Sequence, residues 1–183
     1  MIGFIGILYL LLPILLLVAS IFLYSSTAPA GTVLNGHAQV HDGDTIRIGQ
    51  ASIRLWGIDA AELKQRCGGT PCGEQARAAL AAIIDGRVVT CFPHGKSYRR
   101  IVARCSVDGM DLGSAMARAG MAFDYARYSH GAYADDERAA HESRAGLWAD
   151  GSEPIEEPAH WRACNLPQRR HNRPADCLDQ SRG

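Results

Sequence analysis

HDGDTIRIGQASIRLWGIDAAE, residues 41–62, is the stretch on which the reading of this chain turns. Ile46 and Ile48 alternate with Thr45 and Arg47, and Ile53 and Leu55 alternate with Ser52 and Arg54, the period of two that marks half-buried strands. The Gly49-Gln50 step between the runs reads as a tight turn, so the stretch predicts a hairpin. Asp42 and Asp44 stand at its start, Arg54 on its second strand, and Asp59 and Glu62 just past its end. An Asp-Gly pair alone is ordinary turn chemistry, because aspartate bonds its own backbone and tolerates the left-handed region. Four carboxylates around apolar strands ask for more, since they repel unless a cation or arginines sit among them. A hard oxygen-ligand site for calcium or magnesium satisfies such a group.

Beyond the hairpin the period changes. Ala76, Leu80, Ile83 and Ile84 recur at helical steps from Gly73 and stop at Asp85-Gly86. Residues 88–92 read as a strand, 93–97 as a loop, and 101–107 as a strand running into the Asp108-Gly109 turn. Leu112, Ala115, Met116 and Ala119 predict a second helix ended by Gly120, and a third covers about residues 134–145, stopping at Gly146-Leu147-Trp148. Strands first, helices interleaved later and no βαβ rhythm place the chain in the α+β class.

Residues 2–24 form an almost unbroken apolar run with no charged side chain. At about 1.5 Å of rise per residue, a helix of that length can span the roughly 30 Å core of a bilayer. Two readings stay open. Length and the lack of a basic n-region favour a retained transmembrane anchor, with the membrane as a partner, whereas Ala28-Pro29-Ala30 favours a secretory signal cleaved after Ala30. Under both the chain is exported, membrane-anchored in one case and secreted or periplasmic in the other. The organisation is then an anchor or signal over residues 1–30, a domain over 31–150 and a Pro-rich, Cys-containing tail over 151–183.

Six cysteines, an even number, agree with an oxidising compartment and read as a disulfide framework. Local pairing, Cys67 with Cys72, Cys91 with Cys105 and Cys164 with Cys177, is the preference among the many connectivities available. Zinc at Cys67 and Cys72 competes weakly, for want of a second close pair or suitable His spacing. The tail, punctuated by Pro154, Pro158, Pro167 and Pro174 and without apolar period, is expected to be irregular and pinned by the last bridge. Its basic run over 169–173 reads as a solvated linker, with contact to nucleic acid or anionic lipid as the alternative. Nineteen basic and nineteen acidic residues give a formal charge of zero, so any hold on a polyanion must come from local placement.

DGDTIRI, then IRLWGIDAAE, then Tyr98-Arg99-Arg100 resembles the three-part signature of the staphylococcal nuclease (thermonuclease) family: DGDT, R-L-x-x-x-D-x-P-E and Y-G-R. The resemblance covers roughly residues 40–148. It implies a five-stranded OB-fold barrel with three helices, here preceded by the N-terminal apolar helix. It further implies a calcium-dependent endonuclease that hydrolyses DNA and RNA with little sequence preference and leaves 3′-phosphate ends. The chain is expected to be a monomer without a small organic cofactor.

Carried onto this chain, the resemblance makes Asp44, Asp59 and the backbone carbonyl of Ala60 the ligands of Ca2+. Glu62 becomes the group that activates or orients the attacking water. Arg54 and Arg100 become the phosphate clamp, a role that suits a planar guanidinium fork. Tyr98 and Tyr128, with Tyr125 nearby, become stacking surfaces for bases, which give grip with little sequence choice. Ala61 stands where the family has proline, removing a rigid element before Glu62. Arg99 replaces the glycine of Y-G-R, a bulky cation where left-handed geometry was available. A non-catalytic nucleic-acid-binding module is the alternative; the joint presence of Arg54, Glu62, Arg100, Asp44 and Asp59 argues against it.

Overall fold

The computed structural model describes residues 31–149, 155–165 and 174–178. Alternating apolar residues form strands β1 (Leu34–Val40), β2 (Thr45–Ile48), β3 (Ala51–Leu55), β4 (Ile58–Ala60), β5 (Val88–Ser97), β6 (Arg100–Val107), β7 (Met110–Asp111) and β8 (Ala122–Asp124). Five of them follow the antiparallel order β3-β2-β1-β5-β6, and a parallel pairing of β3 with β6 closes the ring. This is the closed five-stranded OB-fold barrel of an α+β fold. β7 pairs antiparallel with the end of β6, and β4 pairs with β8 in a separate two-stranded ribbon. The inward positions of the expected hairpin, Ile46, Ile53 and Leu55, are buried with Val89, Ala103 and Val107. Ile48 pairs with Ala51 across the turn, where Gly49 takes φ +57°.

Helix α1 (Cys72–Ile84) caps the barrel with Ala76, Leu80 and Ile84, and ends at Asp85, which is left-handed. α2 (Leu112–Arg118) starts where the Asp111 carboxylate accepts the Ser114 amide, and buries Leu112, Met116 and Ala117. α3 (Ala126–Ser129), α4 (Ala134–Glu142) and α5 (Pro158–Asn165) follow. Disulfides join Cys67 to Cys72, Cys91 to Cys105 and Cys164 to Cys177. The second lies inside the barrel between directly opposed residues of β5 and β6.

Several expectations need correction. Among the described residues there are five α-helices rather than three, because a single turn forms at α3 and the tail contributes α5. The tail is therefore not irregular throughout, and its disulfide ties α5 to a short 3-10 turn, Ala175–Leu178. Residues 93–97 are not a loop: Lys96 and Ser97 pair with Ile101 and Arg100, and a register shift between Pro93 and Gly95 absorbs a proline that has no amide to donate. The left-handed residue of the β5–β6 turn is Tyr98, φ +55°, so Arg99 replaces the family glycine without occupying that conformation. The expected membrane-spanning helix is withdrawn: no helix among the described residues is long and apolar enough to cross a membrane. The apolar run over residues 2–24, on which that expectation rested, lies outside the described residues.

Two glycines let the loops beneath the barrel meet. A Cβ on Gly43 would lie 2.6 Å from the Ala60 Cβ and 2.7 Å from the Ala76 Cβ, and one on Gly73 would run into the carbonyl of Glu62. Because the obstacle at Gly73 is backbone, Gly73→Ala should destabilise the protein by about 2–3 kcal/mol in urea unfolding, as overpacking does. An unchanged midpoint would show that the Glu62 loop yields freely.

Candidate active site

The approach to β2 is a tight loop in which the amides of His41 and Asp42 both donate to the Thr45 carbonyl. Asp42 accepts the Asp44 amide on its Oδ1 at 3.0 Å, the turn chemistry expected of an isolated Asp-Gly. Asp44 is thereby aimed inward and is buried. Its Oδ1 accepts from the Thr45 hydroxyl at 2.9 Å, and its Oδ2 from the Ala60 amide at 3.3 Å and Arg54 Nη1 at 2.6 Å. The contact shown for Ala60 is thus through its amide.

Thr45 and Arg54 face each other across β2 and β3, which sets the guanidinium beside Asp44. Arg54 Nη2 donates to Asp59 Oδ1 at 2.8 Å and to the Ile58 carbonyl at 3.2 Å, so the fork bridges two carboxylates. Burial alone would lower the Arg54 pKa, but Asp44 and Asp59 outweigh it and hold the group charged. For Asp44 burial dominates and pushes the carboxyl up to about 6, with Arg54 pulling it back down. Arg100 arrives from β6, where Val102 lies opposite Arg54, and its Nη1 donates to the Thr45 hydroxyl at 3.1 Å. Arg100 has no carboxylate partner among the described residues.

Glu62 sits in a loop braced by Gln65, a buried side chain. The Glu62 amide donates to Gln65 Oε1, the Gln65 amide donates to the Glu62 carbonyl, and Gln65 Nε2 reaches the carbonyl of Glu156 in the tail. This brace fixes the backbone that a proline at Ala61 would have stiffened. The Glu62 side chain is one-third exposed and accepts from Arg162 at 2.8 Å.

Arg162, on α5, has no counterpart among the residues singled out from the sequence. Its Nη1 and Nη2 donate to Asp59 Oδ1 and Oδ2 at 2.9 and 2.8 Å, and Nη1 also serves Glu62. Burial would lower its pKa, and the bonds to Asp59 and Glu62 overcome that and raise it. The signal that could have found it is a charge count: Asp44, Asp59 and Glu62 outnumber Arg54, and the disulfide-pinned tail carries several arginines.

The tyrosines are placed apart from this network. Tyr98 is 94% exposed at the β5–β6 turn, and Tyr125 and Tyr128 pack edge to face at 4.9 Å around α3. The described residues thus unite Asp44, Asp59, Glu62, Arg54 and Arg100, bring in Arg162 and leave the three tyrosines at the surface or on each other. Asp44, Asp59 and Glu62 are oxygen donors of the kind a hard dication takes, and in this structure they are bound by Arg54 and Arg162.

A family model for staphylococcal nuclease homologues matches residues 52–150. The succinoglycan biosynthesis protein ExoI of Rhizobium meliloti is 31% identical over 168 residues, covering 87% of this chain and 84% of that protein. An uncharacterized endonuclease of Haemophilus influenzae is 33% identical over 131 residues, 68% of this chain and 70% of that protein. One of Escherichia coli is 29% identical over 149 residues, 78% and 93% respectively.

Removing Arg54 would leave Asp44 and Asp59 buried together. Arg54→Met should therefore cost about 3–5 kcal/mol in urea unfolding with chelator present, and Arg54→Lys should recover only part, because an ammonium cannot fork. A loss below about 1 kcal/mol would show that the bridge does not hold the loops together.

Proposed function

The chain belongs to the staphylococcal nuclease family, a family of phosphodiester hydrolases, and we propose that it is an exported, calcium-assisted endonuclease acting on DNA and RNA with little sequence preference. The observation that carries this reading is the meeting of Asp44, Asp59 and Glu62, the first two joined by Arg54 and the last two by Arg162, with Arg100 bonded to the adjacent Thr45 and without a carboxylate of its own among the described residues. Three disulfides support export to an oxidising compartment.

Asp44 and Asp59 would hold Ca2+, with the Ala60 carbonyl as a third ligand. When bound, the cation neutralises charge on the phosphoryl oxygens and orients the phosphate. The protein's own groups do the rest. Glu62, the most exposed of the three carboxylates, takes a proton from the attacking water as its oxygen bonds to phosphorus. The bond from phosphorus to the 5′ oxygen breaks, that oxygen takes a proton from solvent, and the phosphate stays on the 3′ end. Arg100 binds the phosphate with the N–H groups it does not give to Thr45, stabilising the charge that builds there. Arg54, whose fork is committed to Asp44 and Asp59, acts by fixing the carboxylates. The exposed rings of Tyr98 and Tyr128 offer stacking faces that accept any base.

Digestion of DNA and RNA by the purified full-length chain, with calcium and with chelator, tests the reading; undiminished cleavage in excess chelator would sink the metal assignment. The Asp44 carboxyl, lifted to about 6, keeps its proton below that pH, so a cation must displace it. The calcium concentration for half-maximal cleavage should rise about tenfold per pH unit below 6 and stay flat above it.

Arg100→Lys keeps the charge and loses the fork. If one bidentate contact is worth about 3–4 kcal/mol at the transition state, single-turnover cleavage should slow by roughly two to three powers of ten while substrate affinity in chelator changes little. A variant as fast as the parent would remove Arg100 from the chemistry.

A further inference from the structure

The ion pairs around Asp59 contain a second cation that the family match does not cover. Residues 52–150 carry that match, whereas Arg162 lies on α5, beyond it. The guanidinium nevertheless takes both Asp59 oxygens and the Glu62 Oε1, each at 2.8 or 2.9 Å. It is delivered by a built support: Gln65, fully buried beside the Glu62 loop, holds the tail at the Glu156 carbonyl, and the disulfide of Cys164 to Cys177 anchors the far end of α5. The Arg162 side chain is 22% exposed, and its two acceptor residues are the same acids to which the calcium reading assigns a ligand and the water-activating role.

Charge and valence limit what Asp59 can hold at one time. With Arg54 and Arg162 in place, three carboxylates face two guanidiniums, and the pairing of Asp59 leaves neither of its oxygens without a cationic donor. A calcium ion must take oxygen from Asp59 at roughly 2.3–2.6 Å, closer than a guanidinium can share. We infer that Arg162 is the resident counter-ion of the cation subsite, a residue that neutralises Asp59 and Glu62 in the absence of metal and is exchanged for the divalent cation when one binds. This rests on the calcium reading of the same site. The tail helix and the metal therefore compete for Asp59, and release of Arg162 frees Glu62.

Calcium binding by the full-length chain, followed by isothermal titration without substrate, tests it. Arg162→Gln should tighten calcium at least tenfold, because the competing charge is gone, and Arg162→Lys should fall between that variant and the parent. A merely structural ion pair predicts the opposite sign, since its loss would loosen the site and weaken the metal. In the parent, the Arg162 side-chain Nε–H resonance, assigned by through-bond correlation in the parent itself, should shift as calcium is added, a measurement that stands even where a substituted chain does not fold. Calcium affinity unchanged or weakened in a folded Arg162→Gln, or an Arg162 resonance that ignores calcium, overturns the inference alone. A parent and a folded Arg162→Gln that both fail to bind calcium overturn it together with the calcium reading.

Discussion

Two carboxylates brought almost out of water repel each other more strongly than they could in solvent, and the fold beneath this barrel is organised around relieving that repulsion at Asp44 and Asp59. Arg54 does so with one nitrogen on each, from near the end of β3. The pairing dictates where the neighbouring segments must run. β2 has to start opposite Arg54, β4 has to present Asp59 on the far side, and the loop before β2 has to press against Ala60, which Gly43 permits. α1 then enters against the Glu62 loop through Gly73. The barrel supplies the rigid floor, and the ion pairs fix which loops may lie on it.

Much of this was legible in the sequence for a physical reason: period and turn chemistry are local. The alternation over residues 45–55 and the Gly49-Gln50 turn gave the hairpin, Ala76, Leu80 and Ile84 gave the cap, and the spacing of the cysteines matched strands and turns that lie side by side. Motif position brought Asp44, Asp59, Glu62, Arg54 and Arg100 into one neighbourhood. It could not distribute their bonds, so Arg54 was expected on phosphate and is found committed to carboxylates.

What escaped the sequence is what depends on distant partners. Arg162 sits in a polar, proline-punctuated segment with no period, about a hundred residues from the acids it meets, and Gln65 looks like any loop glutamine until Glu156 comes down on it. Residues 93–97 read as a loop in sequence, and the register shift that admits them to β5 is a property of the paired strand. The single turn of α3 is too short to leave a periodic trace.

The parallel seam between β3 and β6 has a bearing on when the protein becomes itself. Residues 53–55 meet 101–103 there, and every other pairing of the barrel is antiparallel. Loop closure over such a separation is slow beside hairpin formation, so this seam, like the pairing of β1 with β5, is a step for which nascent strands must wait. Arg100 belongs to one side of the seam, and Thr45, Asp44 and Arg54 belong to the other. A chain that has folded its hairpins but not closed its ring holds Asp44 and Arg54 without the bond from Arg100 to Thr45. The polar network beneath the barrel and the closed ring are thus completed together in the life of the molecule.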